Sequence, residues 1–203
     1  MSESTPPFDI IIYGATSFVG QIMLEYLAEY TTKQDAEPIK WAIAGRSEQK
    51  LLAVKAQNNL PHIEHIIADA NDEAALTNMC AQTKVVISTV GPYALYGETL
   101  IKVCAESGTD YCDLTGEPQW IKAMLDKYEM SAKASGARII NSAGFDSIPS
   151  DLGVYALQQH AIETTGKPAF QIKMRVRKIK GGASGGTIAS MLNVLEEASN
   201  NPA

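Results

Sequence analysis

Short apolar runs alternate with stretches of helical periodicity along most of this 203-residue chain. The runs are Ile10–Tyr13, Trp41–Ala44, His65–Ala68, Lys84–Val90, Asp110–Leu114 and Arg138–Asn141. Between them lie helical patterns near 18–30, 48–57, 72–83, 98–107 and 118–135, and another follows near 150–161. In the first, Val19, Ile22, Met23, Tyr26 and Leu27 recur at helical spacing. A strand that returns through a helix must run parallel to its predecessor, and such crossovers are right-handed. The alternation therefore predicts an α/β fold, a doubly wound parallel Rossmann-type sheet with helices on both faces. The continuous apolar run KVVISTV fits a strand buried on both sides.

After Gly166-Lys167-Pro168 the pattern changes. Phe170–Lys180 alternates, with Ile172, Met174 and Val176 on one side and Lys173, Arg175 and Arg177 on the other, which predicts a half-exposed strand. A glycine-rich stretch, GGASGGT, then leads into a helix near 187–198. One strand and one helix cannot enclose a core. The expected division is a dinucleotide-binding domain over 1–166 and the start of a second domain, for substrate or dimerisation, over 167–203.

The first strand runs into GATSFVG. Glycine at a strand end permits a sharp turn, a small middle residue lets backbone approach a pyrophosphate, and a glycine in the helix permits close packing on the sheet. Gly14, Ser17 and Gly20 hold those positions, and the N–H groups around Ala15, Thr16, Phe18 and Val19 would face the phosphates. Ser17 replaces the usual middle glycine, so its side chain must fit or hydrogen-bond. At the second strand tip stand Arg46 and Ser47 with no acid, which suits a 2′-phosphate and selects NADP(H) over NAD(H). A solvated arginine opening a helix is the plainer alternative. Asp69, at the third tip, could accept from an adenine amino group or cap the next helix. Thr89, Val90, Gly91, Pro92 and Tyr93 end the fourth strand, where ribose and nicotinamide pass, and Pro92 and Tyr93 shape that wall or form a turn.

Several side chains at or beyond strand tips could serve chemistry. They are Tyr93, Tyr96, Asp113, Thr115, Glu117 and Asp146. Hydride transfer needs only orientation and a proton donor or charge-stabilising group. Helix capping explains them equally well: Thr115 as a cap with Glu117 in the first turn, and Asp146-Ser147 before Pro149-Ser150-Asp151. His62 and His65 have no carboxylate or cysteine partner nearby in sequence and read as structural. Gly181–Thr187 lacks the Gly-Lys-Ser/Thr ending of a P-loop, leaving either a second anion-friendly turn at the nicotinamide end or a flexible loop. The face of Lys173, Arg175 and Arg177 is either solvated or turned to an acidic partner or a phosphopantetheine-bearing substrate.

Composition narrows the classes. A net charge of -6 argues against nucleic-acid binding. No stretch approaches the roughly 18 apolar residues of a membrane span, and MSESTPPFD is not a secretory signal. Cys80, Cys104 and Cys112 form no CxxC pair, so free thiols in a reducing compartment, the cytoplasm, are expected. No metal-ligand cluster stands out.

Taken in order, GATSFVG, AGRS, STVGPYALYG, YCDLTGE, NSAGFDSIPSDLG and SGGT span nearly the whole chain. In these segments the chain resembles the saccharopine dehydrogenase-like oxidoreductases, and within them more closely the trans-acting enoyl reductase branch. The resemblance implies an N-terminal NADP-binding domain and a following α/β domain that builds the substrate site and often a dimer contact. It also implies reduction of an activated carbon–carbon double bond in a small-molecule or carrier-linked substrate. The opposing class is a non-catalytic NADP(H) sensor acting through partners, since sheets of this type host many functions.

Overall fold

Parallel strands need a continuous apolar edge, and the first strand supplies it at the centre. The computed structural model describes residues 5–33, 35, 37–182 and 185–200. Strand β1 (Phe8–Tyr13) pairs with β2 (Trp41–Gly45) on one side and β4 (Thr83–Ser88) on the other, Ile11 lying opposite Ala42 and Val86. Outward follow β3 (Glu64–Ile67) beyond β2, and β5 (Asp110–Asp113) and β6 (Ile139–Ile140) beyond β4. The order is β3-β2-β1-β4-β5-β6, all parallel. Strand order reverses between β1 and β4, and a doubly wound sheet binds ligands in the crevice at that point.

Successive side chains of β1 serve opposite faces. Ile12 joins Leu24 and Leu27 of α1 (Phe18–Thr31) and Leu51 and Val54 of α2 (Glu48–Gln57). Ile11 and Tyr13 join Leu76 and Met79 of α3 (Glu73–Cys80), Leu100 and Cys104 of α5 (Glu98–Ser107), and Trp120 and Met124 of α6 (Pro118–Ser135). A four-residue helix, α4 (Tyr93–Tyr96), precedes α5 and is too short for any periodicity to announce it. Glycines in the left-handed region close α5 and α6, Gly108 at φ 79° and Gly136 at φ 87°. Cys80, Cys104 and Cys112 are all free, the first two buried with sulfurs 3.7 Å apart. Burial pushes the Cys112 thiol up to about 11, which keeps it protonated and unreactive near neutrality. His65, expected to lack a carboxylate partner, sits 3.7 Å from a Glu48 carboxylate oxygen.

The last quarter departs from expectation. Helix α7 (Ile148–Thr165) is longer than predicted and buries none of its side chains. The strand predicted over Phe170–Lys180 is absent: residues 169–182 form no helix or strand. A strand needs a neighbouring ladder, and none stands beside this segment. Both of its sides are therefore open, Met174 being 64% and Val176 71% exposed. Of the glycine-rich stretch, residues 183 and 184 lie outside the described residues, and α8 (Gly185–Asn200) starts two residues earlier than predicted.

The short strand β6 is pinned by an ion pair. Asp110 accepts from the Arg138 backbone N–H at 2.8 Å and from its Nε at 2.9 Å, with a further contact to the guanidinium Nη2. These bonds hold the Asp110 carboxyl below the usual range. A lowered folded-state pKa stabilises the fold above the unfolded value and loses that contribution as pH falls through the folded value. Asp110→Asn should therefore narrow the gap between urea midpoints measured at neutral pH and at about pH 3. An unchanged gap would show that the pair does not couple to folding.

Candidate functional site

The glycine turn is held by contacts rather than by flexibility alone. Gly14 sits at φ 89°, where a Cβ would come 2.6 Å from Thr89 Oγ1 and 2.8 Å from Val90 Cγ2. A Cβ on Gly20 would meet the Gly14 carbonyl oxygen at 2.4 Å and the Ala15 Cα at 2.8 Å. Both glycines therefore mark close backbone approach. Ser17 is the N-cap of α1, its Oγ accepting from the Gly20 N–H at 2.9 Å and lying 2.9 Å from Thr89 Oγ1. Thr89 Oγ1 also reaches the Gly14 carbonyl oxygen at 2.9 Å. A serine in the middle position thus fits by capping the helix and bonding to the tip of β4. The N–H groups of Phe18 and Val19 make no hydrogen bond among the described residues, as the first turn of a helix dictates.

Two cavities meet at this turn, sharing Ser17, Thr89 and Gly91. The smaller, about 250 Å³, runs over the β1–β2–β3 tips between Gly14, Gly45, Arg46, Asp69 and Asn71. Arg46 is exposed there and forms no salt bridge among the described residues. Asp69 borders the same cavity, but its Oδ1 also accepts from the Asn71 backbone N–H at 2.9 Å. The true cap of α3 is Asp72, which accepts from the Ala75 N–H. Ser47 caps α2, accepting from the Lys50 N–H, and does not border the cavity.

The larger cavity, about 470 Å³, lies on the other side of the turn. Phe18, Val19, Tyr93 and Leu114 form part of its wall, Glu117 and Asp146 border it, and Met191, Val194 and Leu195 of α8 face them. The Tyr93 hydroxyl donates to the Ser88 carbonyl oxygen at 3.1 Å, and the ring lies 5.5 Å from Trp120. Burial, with the Asp113 carboxylate second, pushes the Tyr93 pKa far above its ordinary value, so this phenol is a poor proton donor. Glu117 is 2% exposed, yet both its oxygens are engaged: Oε1 by the Tyr93 N–H at 3.0 Å and Ser190 Oγ at 2.9 Å, Oε2 by the Ala94 N–H at 2.9 Å.

Six expected site residues line neither cavity, Ser47 among them: Ala15 and Gly20 form the buried floor of the turn, and Asp113 and Thr115 point inward. Pro92 caps α4 without lining a cavity either. Asp113 accepts from the Tyr111 hydroxyl, Asn141 Nδ2 and the N–H groups of Thr115 and Ser142, at 2.8 to 3.0 Å. Burial nonetheless raises its pKa. The expected caps also differ. Thr115 Oγ1 accepts from the Glu117 N–H at 3.2 Å, but Glu117 itself is the N-cap of α6 and makes no side-chain cap bond. Ser147 precedes α7 with no cap bond, and Asp146 stands exposed at the cavity. Tyr13, Ala70 and Asn71 border the smaller cavity with no sequence signal for it, and Tyr96, a chemical candidate, and Thr89, expected with the Val90–Tyr93 stretch, border it too. Gly186 and Thr187, of the glycine-rich stretch offered for the nicotinamide end, border the larger cavity, whereas Met191, Val194 and Leu195 beyond them carry no sequence signal.

The cavities suit a dinucleotide with its pyrophosphate over the turn, because both halves open from one point beside unpartnered N–H groups. Among the described residues no group of three His, Cys, Asp or Glu side chains could hold a metal, and no helix is long and apolar enough to cross a membrane. Residues 10–140, more than half of the chain, match the family described as saccharopine dehydrogenase NADP binding domain. A Mycobacterium tuberculosis protein provisionally named a trans-acting enoyl reductase is 47% identical over 204 residues, covering all of this chain and 48% of its own length. A trans-acting enoyl reductase of Mycobacterium ulcerans is 38% identical, again covering all of this chain and 48% of its own length. The chain thus spans about half the length of the curated relatives it matches. Apo saccharopine dehydrogenase (L-Glu forming) from Saccharomyces cerevisiae shares the fold at a TM-score of 0.57 and 19% identity, over 78% of this chain and 32% of that one.

Proposed function

We propose a function from a plain premise: the chain belongs to the saccharopine dehydrogenase NADP-binding family. It holds NADP(H) at the β1–β4 crevice and, as part of a longer enzyme, serves an NADP(H)-dependent reductase acting on an activated double bond. The observation that carries this reading is the pair of cavities joined at the glycine turn, one with an exposed arginine that forms no salt bridge among the described residues and the other with apolar walls. The α1 N-terminus faces the pyrophosphate, with Gly14 and Gly20 allowing the close approach. Arg46 meets the 2′-phosphate with its planar fork, and Asp69 faces the adenine side. Gly91 and Tyr93 wall the nicotinamide end, with Pro92 setting the turn between them. When bound, the reduced nicotinamide supplies the hydride; the chain orients it and excludes water with Phe18, Val19 and Leu114.

The names of the relatives favour a carrier-linked substrate over a free small molecule. Residues 167–203 open a second domain, and 1–166 form the dinucleotide-binding one. The α7 helix, with no fully buried side chain, and the open segment before α8 fit such a division, with a homodimer contact in the second domain. The test is a calorimetric titration of NADPH and NADH against the chain and against Arg46→Ala. NADPH should bind more tightly by about tenfold or more, about 1.4 kcal/mol, and the preference should vanish in the variant. Equal affinities in the unaltered chain would overturn the assignment to NADP(H). Binding by the full-length protein without turnover of activated double bonds would favour the sensor.

A further inference from the structure

The family match ends at residue 140, yet the larger cavity is closed by a helix beyond it. Helix α8 reaches the cleft through Ser190. Its Oγ donates to Glu117 Oε1 at 2.9 Å and stands 3.6 Å from where a Cβ on Gly91 would project. The same Glu117 oxygen accepts from the Tyr93 N–H, and its other oxygen from that of Ala94. One carboxylate therefore ties the turn after β4 to α8. Hydrogen bonds to an ionised acceptor are the strong kind, and burial strengthens them further.

Apolar burial on α8 is incomplete at this end. Met191 and Leu195 border the cavity but remain 62% and 67% exposed. Their side chains face open space on the nicotinamide side of the turn, while the smaller, adenosine-side cavity includes no α8 residue. The helix is thus placed to respond to one half of a dinucleotide and not to the other.

We propose that α8 completes the nicotinamide half of the cofactor site, with Glu117 as the positioning residue and Ser190 as the latch between cofactor turn and helix. This rests on the cofactor reading above. The Glu117–Ser190 pair governs how tightly the nicotinamide end is enclosed and leaves the adenosine end untouched. With the latch closed, bound nicotinamide is covered by Met191 and Val194; with the latch broken, α8 is held less firmly at the cleft and that cover is loosened.

The experiment compares the affinities of NADPH and adenosine 2′,5′-bisphosphate, which lacks the nicotinamide half, for the chain, Ser190→Ala and Glu117→Gln. Alanine is the best helix former, so Ser190→Ala preserves α8 and breaks only the latch. The expected result is an NADPH affinity about tenfold weaker in Ser190→Ala, the 1.4 kcal/mol scale of one charge-assisted hydrogen bond, with the bisphosphate unchanged. Glu117→Gln should shift the ratio in the same direction. An unaltered ratio in Ser190→Ala, with both ligands still binding, overturns the latch alone. If neither ligand binds the unaltered chain, the cofactor reading fails and the latch fails with it.

Discussion

Gly20→Ala should lower NADPH affinity by about 100-fold, about 2.7 kcal/mol, and should lower Tm as well. On helix propensity alone the change would stabilise α1 by about 1 kcal/mol. The clash decides the opposite sign. The new methyl would lie 2.4 Å from the Gly14 carbonyl oxygen and within 2.9 Å of two Ala15 backbone atoms. None of these can rotate away, so α1 must shift off β1. Overpacking of this kind costs about 1–3 kcal/mol, and at about 2–4 °C per kcal/mol for a chain of this size Tm should fall by about 5 °C. The same shift would carry the N–H groups of Phe18 and Val19 away from the place proposed for the pyrophosphate. A thermal melt and an NADPH titration of one sample check both halves. Unchanged affinity in a destabilised variant would mean that the turn has only an architectural role.

The second large effect is expected at Asp113, a residue whose type and position also suit catalysis. Asp113→Ala should destabilise the fold by about 3–5 kcal/mol, lowering Tm by about 10 °C. Four donors converge on this carboxylate, and two of them, the Tyr111 hydroxyl and the Thr115 N–H, are deeply buried. Removing the acceptor leaves them without water or partner. Tyr111→Phe removes one orphan, so the double variant should lose less than the sum of the single losses, by about 1 kcal/mol. Urea midpoints of the four proteins measure this. Strict additivity would show that the two side chains do not share a bond in solution.

The pairing of these two sites shows where sequence reading succeeds. Gly14, Ser17 and Gly20 are legible as a tight strand-to-helix turn because close backbone approach demands small residues at fixed spacing within one strand–helix unit. Asp113, Thr115 and Glu117 are equally visible as polar residues at a strand tip. Their roles are not legible, because the donors that claim them come from Tyr93, Asn141, Ser142 and Ser190. Those partners lie up to 73 residues away along the chain.

Helix periodicity has a similar limit. The apolar positions of α1 mark a helix, but Phe18, Ile22 and Tyr26 are exposed while Gly20, Leu24 and Leu27 face the sheet. A wide apolar stripe does not say which part of it meets the core. The alternation of Phe170–Lys180 marks a strand-forming sequence, yet a strand exists only when a second one pairs with it.

What the sequence by itself determined is local in origin: six strands, the helices between them, the parallel doubly wound sheet and the glycine turn at its first crossover. Periodicity of 2 or 3.6, glycine tolerance and capping chemistry act over a few residues, so they are written where they act. Only the tertiary structure decided that Asp113 faces inward, that Glu117 gathers three donors, and that α8 closes the larger cavity. Those outcomes depend on which groups from distant segments arrive at the same buried point, where every unpaired donor carries a cost. No short window of residues records that meeting.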